Sequence, residues 1–228
     1  MKAELKTTCK KISKLLHPYF ALLLICMVLM LVFSKEEIYF AINHRHAVFT
    51  DVFFAKLTVL GAGVGCIVIV LITFLINFRT GFLLLSSYLL TFIISQTIKH
   101  LVKAPRPHLF FSKKLHDIYL IKGVVMLDVN SFPSGHSVSA FTAAVVFTYV
   151  AKNKSWGSFW LIVAVLIAYS RMYLSEHFLQ DVTAGSALGV LITVFWLSWV
   201  DQQPLLQTKK WNRGILNLNK TSADKSGF

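Results

Sequence analysis

Apolar residues fall in six runs, Tyr19–Phe33, Leu57–Ile76, Gly81–Ile98, Val138–Val150, Phe159–Tyr169 with its flanks, and Val182–Val200, separated by polar or charged segments. Each is roughly the length that spans a bilayer, so the pattern predicts an all-α fold, a six-helix transmembrane bundle. The first run lacks a small-residue cleavage site and is followed by Ser34-Lys35-Glu36-Glu37, so it is expected to stay as an anchor. Small residues cluster in Gly61-Ala62-Gly63-Val64-Gly65 and Gly185-Ser186-Ala187-Leu188-Gly189, where they allow close helix packing. One membrane domain over 1–207 is expected, followed by a polar cytoplasmic tail over 208–228 that reads as frayed.

Composition agrees with a membrane protein. Of 228 residues, 56% are hydrophobic and 14% aromatic, and the mean hydropathy is +0.65. Positive charge favours cytoplasmic loops, and the amino terminus carries Lys2, Lys6, Lys10, Lys11 and Lys14. Six crossings then put Arg79, Lys152, Lys154 and the basic tail inside as well, including Lys209, Lys210, Arg213, Lys220 and Lys225. Both termini are expected in the cytoplasm of a bacterial inner membrane. The segment 99–132 falls outside by this count yet holds Lys99, Lys103, Arg106, Lys113, Lys114 and Lys122, for which anion binding is the expected explanation. Its apolar residues, Phe110, Phe111 and Ile118 to Ile121, suit a membrane-interface segment and a packed connector equally.

The net charge of +13 is compatible with nucleic acid, anionic lipid or a phosphorylated substrate. Membrane topology accounts for most of it. No basic-aromatic pattern of a nucleic-acid module is present, so no nucleic-acid partner is expected. Cys9, Cys26 and Cys66 form no disulfide framework. Nothing in the sequence assigns an oligomeric state.

Three segments carry candidate chemistry. In Lys99-His100-Leu101-Val102-Lys103-Ala104-Pro105-Arg106-Pro107 the prolines stop a helix and present Arg106 from a stiff turn. Arginine and lysine there suit an oxyanion, although a basic helix end is also an ordinary interfacial anchor. In Ser131-Phe132-Pro133-Ser134-Gly135-His136-Ser137, Gly135 permits a close approach to backbone N–H groups at a helix start, with His136 placed to deliver a proton. Alone, that segment is equally a Pro-Ser helix start. In Ser170 to Asp181, His177 and Asp181 are spaced i, i+4, so on a helix the carboxylate can hold one ring nitrogen and free the other. Alone, this pair is also a surface hydrogen bond or cap. Six crossings place all three segments on one face of the membrane, which favours a single site.

Lys-x6-Arg-Pro at 99–107, Pro-Ser-Gly-His at 133–136 and Ser-Arg-x5-His-x3-Asp at 170–181 together resemble the three-part signature of the type 2 phosphatidic acid phosphatase superfamily. The resemblance implies a membrane lipid-phosphate phosphatase. His177 would be the nucleophile, Asp181 its orienting base and His136 the acid, while Lys99, Arg106, Ser134, Gly135 and Arg171 would bind the phosphate. No cofactor and no metal are expected. A metal site built on His136, His177 and Asp181 is the chemical rival, and the three neighbouring cations oppose it. The implied partners are the bilayer and a membrane lipid phosphate: undecaprenyl diphosphate, phosphatidylglycerol phosphate, phosphatidic acid or lipid A. A lipid phosphotransferase, a non-catalytic lipid-phosphate transporter and the oxyanion site of soluble vanadate haloperoxidases are the alternatives.

Overall fold

A computed structural model describes residues 2–121, 123 and 127–218. Lys122, Lys220 and Lys225, counted above among the loop and tail charges, lie outside the described residues. The described chain is helical, without a strand: α1 (Lys2–Lys11), α2 (Ser13–Val32), α3 (Lys35–Asn43), α4 (Val48–Leu57), α5 (Gly63–Ile76), α6 (Phe78–Val102), α7 (Pro107–Phe110), α8 (Gly135–Val150), α9 (Trp156–Tyr173), α10 (Leu179–Val200) and α11 (Ile215–Leu218). Single 3-10 turns cover Thr58–Gly61, Ser112–Asp117 and Pro204–Gln207.

Local signals explain where these helices begin and end. At the start of α3 a capping box forms: Glu37 N–H donates to Ser34 Oγ at 3.2 Å while Ser34 N–H donates to Glu37 Oε2 at 2.8 Å. Helix α6 stops where Lys103 turns into the left-handed region, φ 49°, ahead of Ala104 and Pro105. Ser134 caps α8 and Asp181 caps α10 from its third position.

Four helices are long and apolar enough to cross a membrane by themselves: those beginning at Ser13, Phe78, Trp156 and Leu179. The sequence predicted one continuous run over Leu57–Ile76. Instead the chain breaks, α4 and its 3-10 turn meeting α5 at 59°. Extended Ala62 makes the break (φ −75°, ψ 160°), and Gly61 fits there because a Cβ would come within 2.7 Å of Ile167 on α9. Helix α8 is 16 residues long and sits at the centre against α6, α9 and α10, with Val145 and Val146 fully buried. It packs closely on α10, where a Cβ at Gly185 or Gly189 would approach the carbonyls of Ser134 or Val138 to 2.6 Å. Leu31, Val64, Ile67, Phe92 and Phe195 point outward and exposed, the apolar outer surface of an integral membrane protein.

The bundle is pinned at the end away from the signature segments. Buried Asp201, just past α10, accepts from Arg79 Nε at 2.8 Å and Nη2 at 2.5 Å and from Tyr149 OH at 2.7 Å; Lys11 Nζ in turn donates to Tyr149 OH at 3.1 Å. Of the segment after Thr208, expected to fray, the described stretch around Trp211 and Arg213 is docked beside this knot. Phe78 N–H donates to Arg213 O and Arg79 N–H to Trp211 O, both at 2.8 Å, and Trp211 packs edge-on against Phe82. The first turn of α6 has no acceptors of its own for these N–H groups, and the tail backbone supplies them.

At the other end, the described part of the segment after α6 is packed at two points and leaves Phe110, Tyr119 and Leu120 exposed. Phe111 and Ile118 are buried against Tyr39 and Phe178. Asn43 holds its backbone at both ends of one amide, donating to Tyr119 O at 2.9 Å and accepting from Tyr119 N–H at 2.9 Å.

Candidate active site

All three signature segments meet at that end, where Lys99, Arg106, Arg171, His177 and Asp181 are buried and His136 is half-buried. Lys99, on the last turn of α6, reaches back to donate to Asn130 O at 2.7 Å. Arg106, projected by the Pro105-Arg106-Pro107 turn, donates from Nε to Val129 O at 3.1 Å, and its Nη1 is ion-paired to Glu176. Arg171, on the last turn of α9, donates from Nη1 to Thr58 Oγ at 2.8 Å and lies 3.4 Å from Glu176 Oε2. Its Nε is buried with no acceptor among the described residues. His136 lies within electrostatic reach of Lys99, Arg106, Arg171 and His177, and both arginines lie within reach of Lys99 and of His177.

Among the described residues, the other lysines of segment 99–132 do not join them. Lys103 is the exposed helix terminus, Lys113 is exposed, and Lys114 pairs at the surface with Glu36. Anion binding, expected to explain the charge of the whole segment, is left with Lys99 and Arg106 as its candidates among the described residues.

Ser134, Gly135 and His136 form the start of α8. The Ser134 hydroxyl accepts from Ser137 N–H and Ser137 Oγ, and Ser134 N–H donates to Asp181 O at 3.0 Å. The backbone N–H thus ties this helix end to α10, while the hydroxyl caps α8 through its lone pairs and keeps its own proton to donate. The next two N–H groups, of Gly135 and His136, have no intrahelical acceptor by helix geometry, and Gly135 lies beside the Lys99 side chain. They add positive potential to the three cations.

His177 lies in the short connection from α9 to α10, held by donation of its backbone N–H to Arg171 O at 3.2 Å. It is 2% exposed. Burial, reinforced by the guanidinium groups of Arg106 and Arg171 and opposed by Asp181, pushes its imidazole pKa down to about 3, so the ring is neutral at neutral pH. His177 Nδ1 is 3.6 Å from Asp181 Oδ2, beyond hydrogen-bond length, and Ser131 Oγ lies between: 3.3 Å from Nδ1 and 2.5 Å from Oδ2.

Two cavities reach the site from different sides. One, about 200 Å³, is lined by Met30, Phe33, Ile38, Tyr39 and Met172 and reaches His177. The other, about 560 Å³, is an apolar groove between α5, α6 and α8 that includes Ile67, Leu89 and Phe92 and ends at Gly135 and His136. No group of three His, Cys, Asp or Glu side chains is arranged to hold a metal ion among the described residues.

Three contributors escaped the sequence reading. Glu176 was passed over although it is an acidic residue directly before His177, in a segment whose partners are cations. Ser131 stood in a motif but had no role assigned. Thr58 gave no signal, because its meeting with Arg171 depends on the broken helix.

A buried cluster of cations beside a neutral histidine and a carboxylate is chemically suited to an oxyanion. The PAP2 superfamily model matches residues 80–204, and this chain belongs to that superfamily. It is similar to the bacitracin transport permease protein BcrC of Bacillus licheniformis, 36% identical over 105 residues that make up 43% of this chain and 51% of that protein. It is also similar to an undecaprenyl-diphosphatase of Sulfolobus acidocaldarius, 29% identical over 55% of each chain. The chain thus spans about half the length of these curated relatives. Among solved structures it resembles Aquifex aeolicus LpxE, with a TM-score of 0.63 and 28% identity over 72% of this chain and 94% of that one.

Proposed function

We propose that this protein is a membrane phosphatase that hydrolyses the phosphate or diphosphate headgroup of a lipid through a phosphohistidine intermediate on His177. The observation that carries the reading is a neutral, buried histidine set among three cationic side chains, one of which has an unsatisfied buried donor. Such a cradle stabilises the charge of a phosphoryl group in transfer.

In this mechanism Lys99, Arg106 and Arg171, with the Gly135 and His136 N–H groups, hold the phosphate oxygens. Ser134 fixes the helix end that presents those N–H groups, and its hydroxyl proton is offered to the same phosphate. Asp181 holds the His177 tautomer with the proton on Nδ1, and the Nε2 lone pair attacks phosphorus in line. The bond to the leaving oxygen breaks, and His136 supplies that oxygen with a proton; the bound phosphate anion favours the protonated imidazole this requires. Water then attacks the phosphohistidine, giving its proton to His136 and releasing phosphate and neutral His177. The three cations neutralise the phosphate, so the mechanism uses no metal and no cofactor.

The apolar groove ending at His136 suits a leaving group that carries hydrocarbon. Relatives named as an undecaprenyl-diphosphatase, a phosphatidylglycerophosphatase and lipid A phosphatases support undecaprenyl diphosphate, phosphatidylglycerol phosphate and lipid A as candidate substrates, while phosphatidic acid rests on the family resemblance of the signature alone. Helices α2, α5, α6, α8, α9 and α10 are the six proposed crossings, with both termini cytoplasmic and the site on the outer face of a bacterial inner membrane. Transfer of the phosphoryl group to a second lipid uses the same first step.

One relative is named a transport permease, which favours lipid-phosphate transport as the second reading. Purified protein in liposomes separates the two. Phosphate release from one of the four lipids, absent in His177→Ala, is expected; a folded wild-type protein that releases none and moves the lipid across the bilayer would establish transport.

A further inference from the structure

We infer that Ser131 is a positioning residue for His177, carrying the hold of Asp181 onto the imidazole through its hydroxyl. The inference rests on His177 being the nucleophile. Direct contact between Asp181 Oδ2 and His177 Nδ1 is too long for a hydrogen bond at 3.6 Å. Ser131 Oγ is within 2.5 Å of Oδ2, a distance that assigns its proton to the carboxylate, and 3.3 Å from Nδ1. An oxygen that has donated its proton still offers lone pairs, so it accepts the Nδ1 proton. The order is then carboxylate, hydroxyl, imidazole, with every proton placed and the Nε2 lone pair free.

Asp181 is poorly placed to act without this relay. The same Oδ2 accepts from Phe178 N–H at 2.9 Å, which caps α10, so moving the carboxylate toward the ring strains the helix start. Oδ1 is buried and has no partner among the described residues. Ser131 itself is fully buried and is fixed by its backbone N–H, which donates to Ala104 O at 3.0 Å. That bond links the turn carrying Arg106 to the segment that orients the nucleophile. A hydroxyl held on both sides, between two buried titratable groups, is more than filler.

The test is steady-state kinetics on purified Ser131→Ala, Asp181→Asn and the double variant, with His177→Ala alongside. Ser131→Ala is expected to lower kcat roughly ten- to a hundred-fold, by analogy with the loss of an outer partner that orients a metal-bound histidine through its second nitrogen. KM should stay near wild type because the cradle is untouched. In the Asp181→Asn background the serine change should cost little more, since the two act in series. Ser131→Thr, which keeps the hydroxyl, should recover most of the rate. Should the alanine variant fail to fold, Ser131→Cys keeps the volume with a weak donor and is expected to show the same fall in kcat at constant KM. A kcat within twofold of wild type for Ser131→Ala or Ser131→Cys, or a full independent loss in the Asp181→Asn background, overturns the inference. Activity surviving in His177→Ala would instead overturn the nucleophile assignment, so the two failures are distinguishable.

Discussion

Glu176 and Arg106, seventy residues apart in sequence, form a buried ion pair at the centre of the site. The same carboxylate lies 3.4 Å from Arg171 Nη2, so one anion holds two of the three cations in place before any phosphate arrives. Removing one partner of a buried pair leaves charge uncompensated and typically costs about 3 kcal/mol or more. Glu176→Ala is therefore expected to lower the thermal unfolding temperature of the detergent-solubilised protein. Orthovanadate, an anion for the same two arginines, should raise that temperature more in the variant than in wild type. Equal vanadate shifts would mean that Glu176 does not serve the arginines in the empty site.

Burial of His177 makes a pH-dependent stability prediction whose sign is fixed. Its folded pKa is lowered to about 3, while an unfolded histidine titrates near about 6.5. Below about 6.5 the unfolded chain takes up a proton that the folded state refuses, so stability falls with pH through the window between these two values. Wild type should lose stability relative to His177→Gln as pH drops from about 6.5 toward 4. Parallel unfolding curves for the two proteins across that range would contradict the neutral buried ring.

Chelation should leave turnover intact, because Lys99, Arg106 and Arg171 rather than a metal face the phosphate in the proposed mechanism. Phosphate release after EDTA treatment and desalting is the measurement. A loss that added divalent ion restores would revive the site on His136, His177 and Asp181.

A cysteine placed at the exposed Ser112 reports the side of the membrane. With Cys9, Cys26 and Cys66 replaced, an impermeant thiol reagent should label it in intact cells, as the lysine-rich amino terminus predicts. Labelling confined to lysed cells, with full reaction in a denatured control, would invert the topology.

The role of His136 predicts a dependence on the leaving group. A lipid monoester expels an alkoxide that needs a proton, whereas a lipid diphosphate expels a phosphate oxygen that needs far less help. General acid catalysis is typically worth about a hundred- to ten-thousand-fold. His136→Ala should lose most of that on phosphatidic acid and much less on undecaprenyl diphosphate. Equal losses, with chemistry rate-limiting, would assign His136 to phosphate positioning or to the second-step water.

Which side chains meet was legible where the residue type itself states the chemistry. Lys99, Arg106, His136, Arg171, His177 and Asp181 are cations, imidazoles and a carboxylate at helix ends, and apolar periodicity put those ends on one face. The break at Gly61 to Gly63 was not legible, since the run stays apolar throughout and the bend answers to Ile167, a residue more than a hundred positions away. Thr58 came to Arg171 only through that bend. The docking of Trp211 was hidden for a similar reason: a polar segment looks frayed until the acceptor needs of a distant helix start are counted. For Ser131 the motif was visible but the 3.6 Å gap it bridges was not, because i, i+4 spacing fixes a face and not a contact.

The knot on Asp201 bears on how a bulky lipid headgroup gains entry. It ties the beginning of α6 to the ends of α8 and α10 through buried charge and a tyrosine hydroxyl, so separating the helices there exposes ionic groups to hydrocarbon. At the opposite end, where Lys99, His136 and Asp181 sit, α6 is joined to its neighbours mainly through loop backbone. If α6 parts from α8 to admit the proposed substrate, a fulcrum at Asp201 would put the largest displacement at the proposed phosphate cradle. A small tilt at the anchored end becomes the greatest widening where the headgroup has to pass.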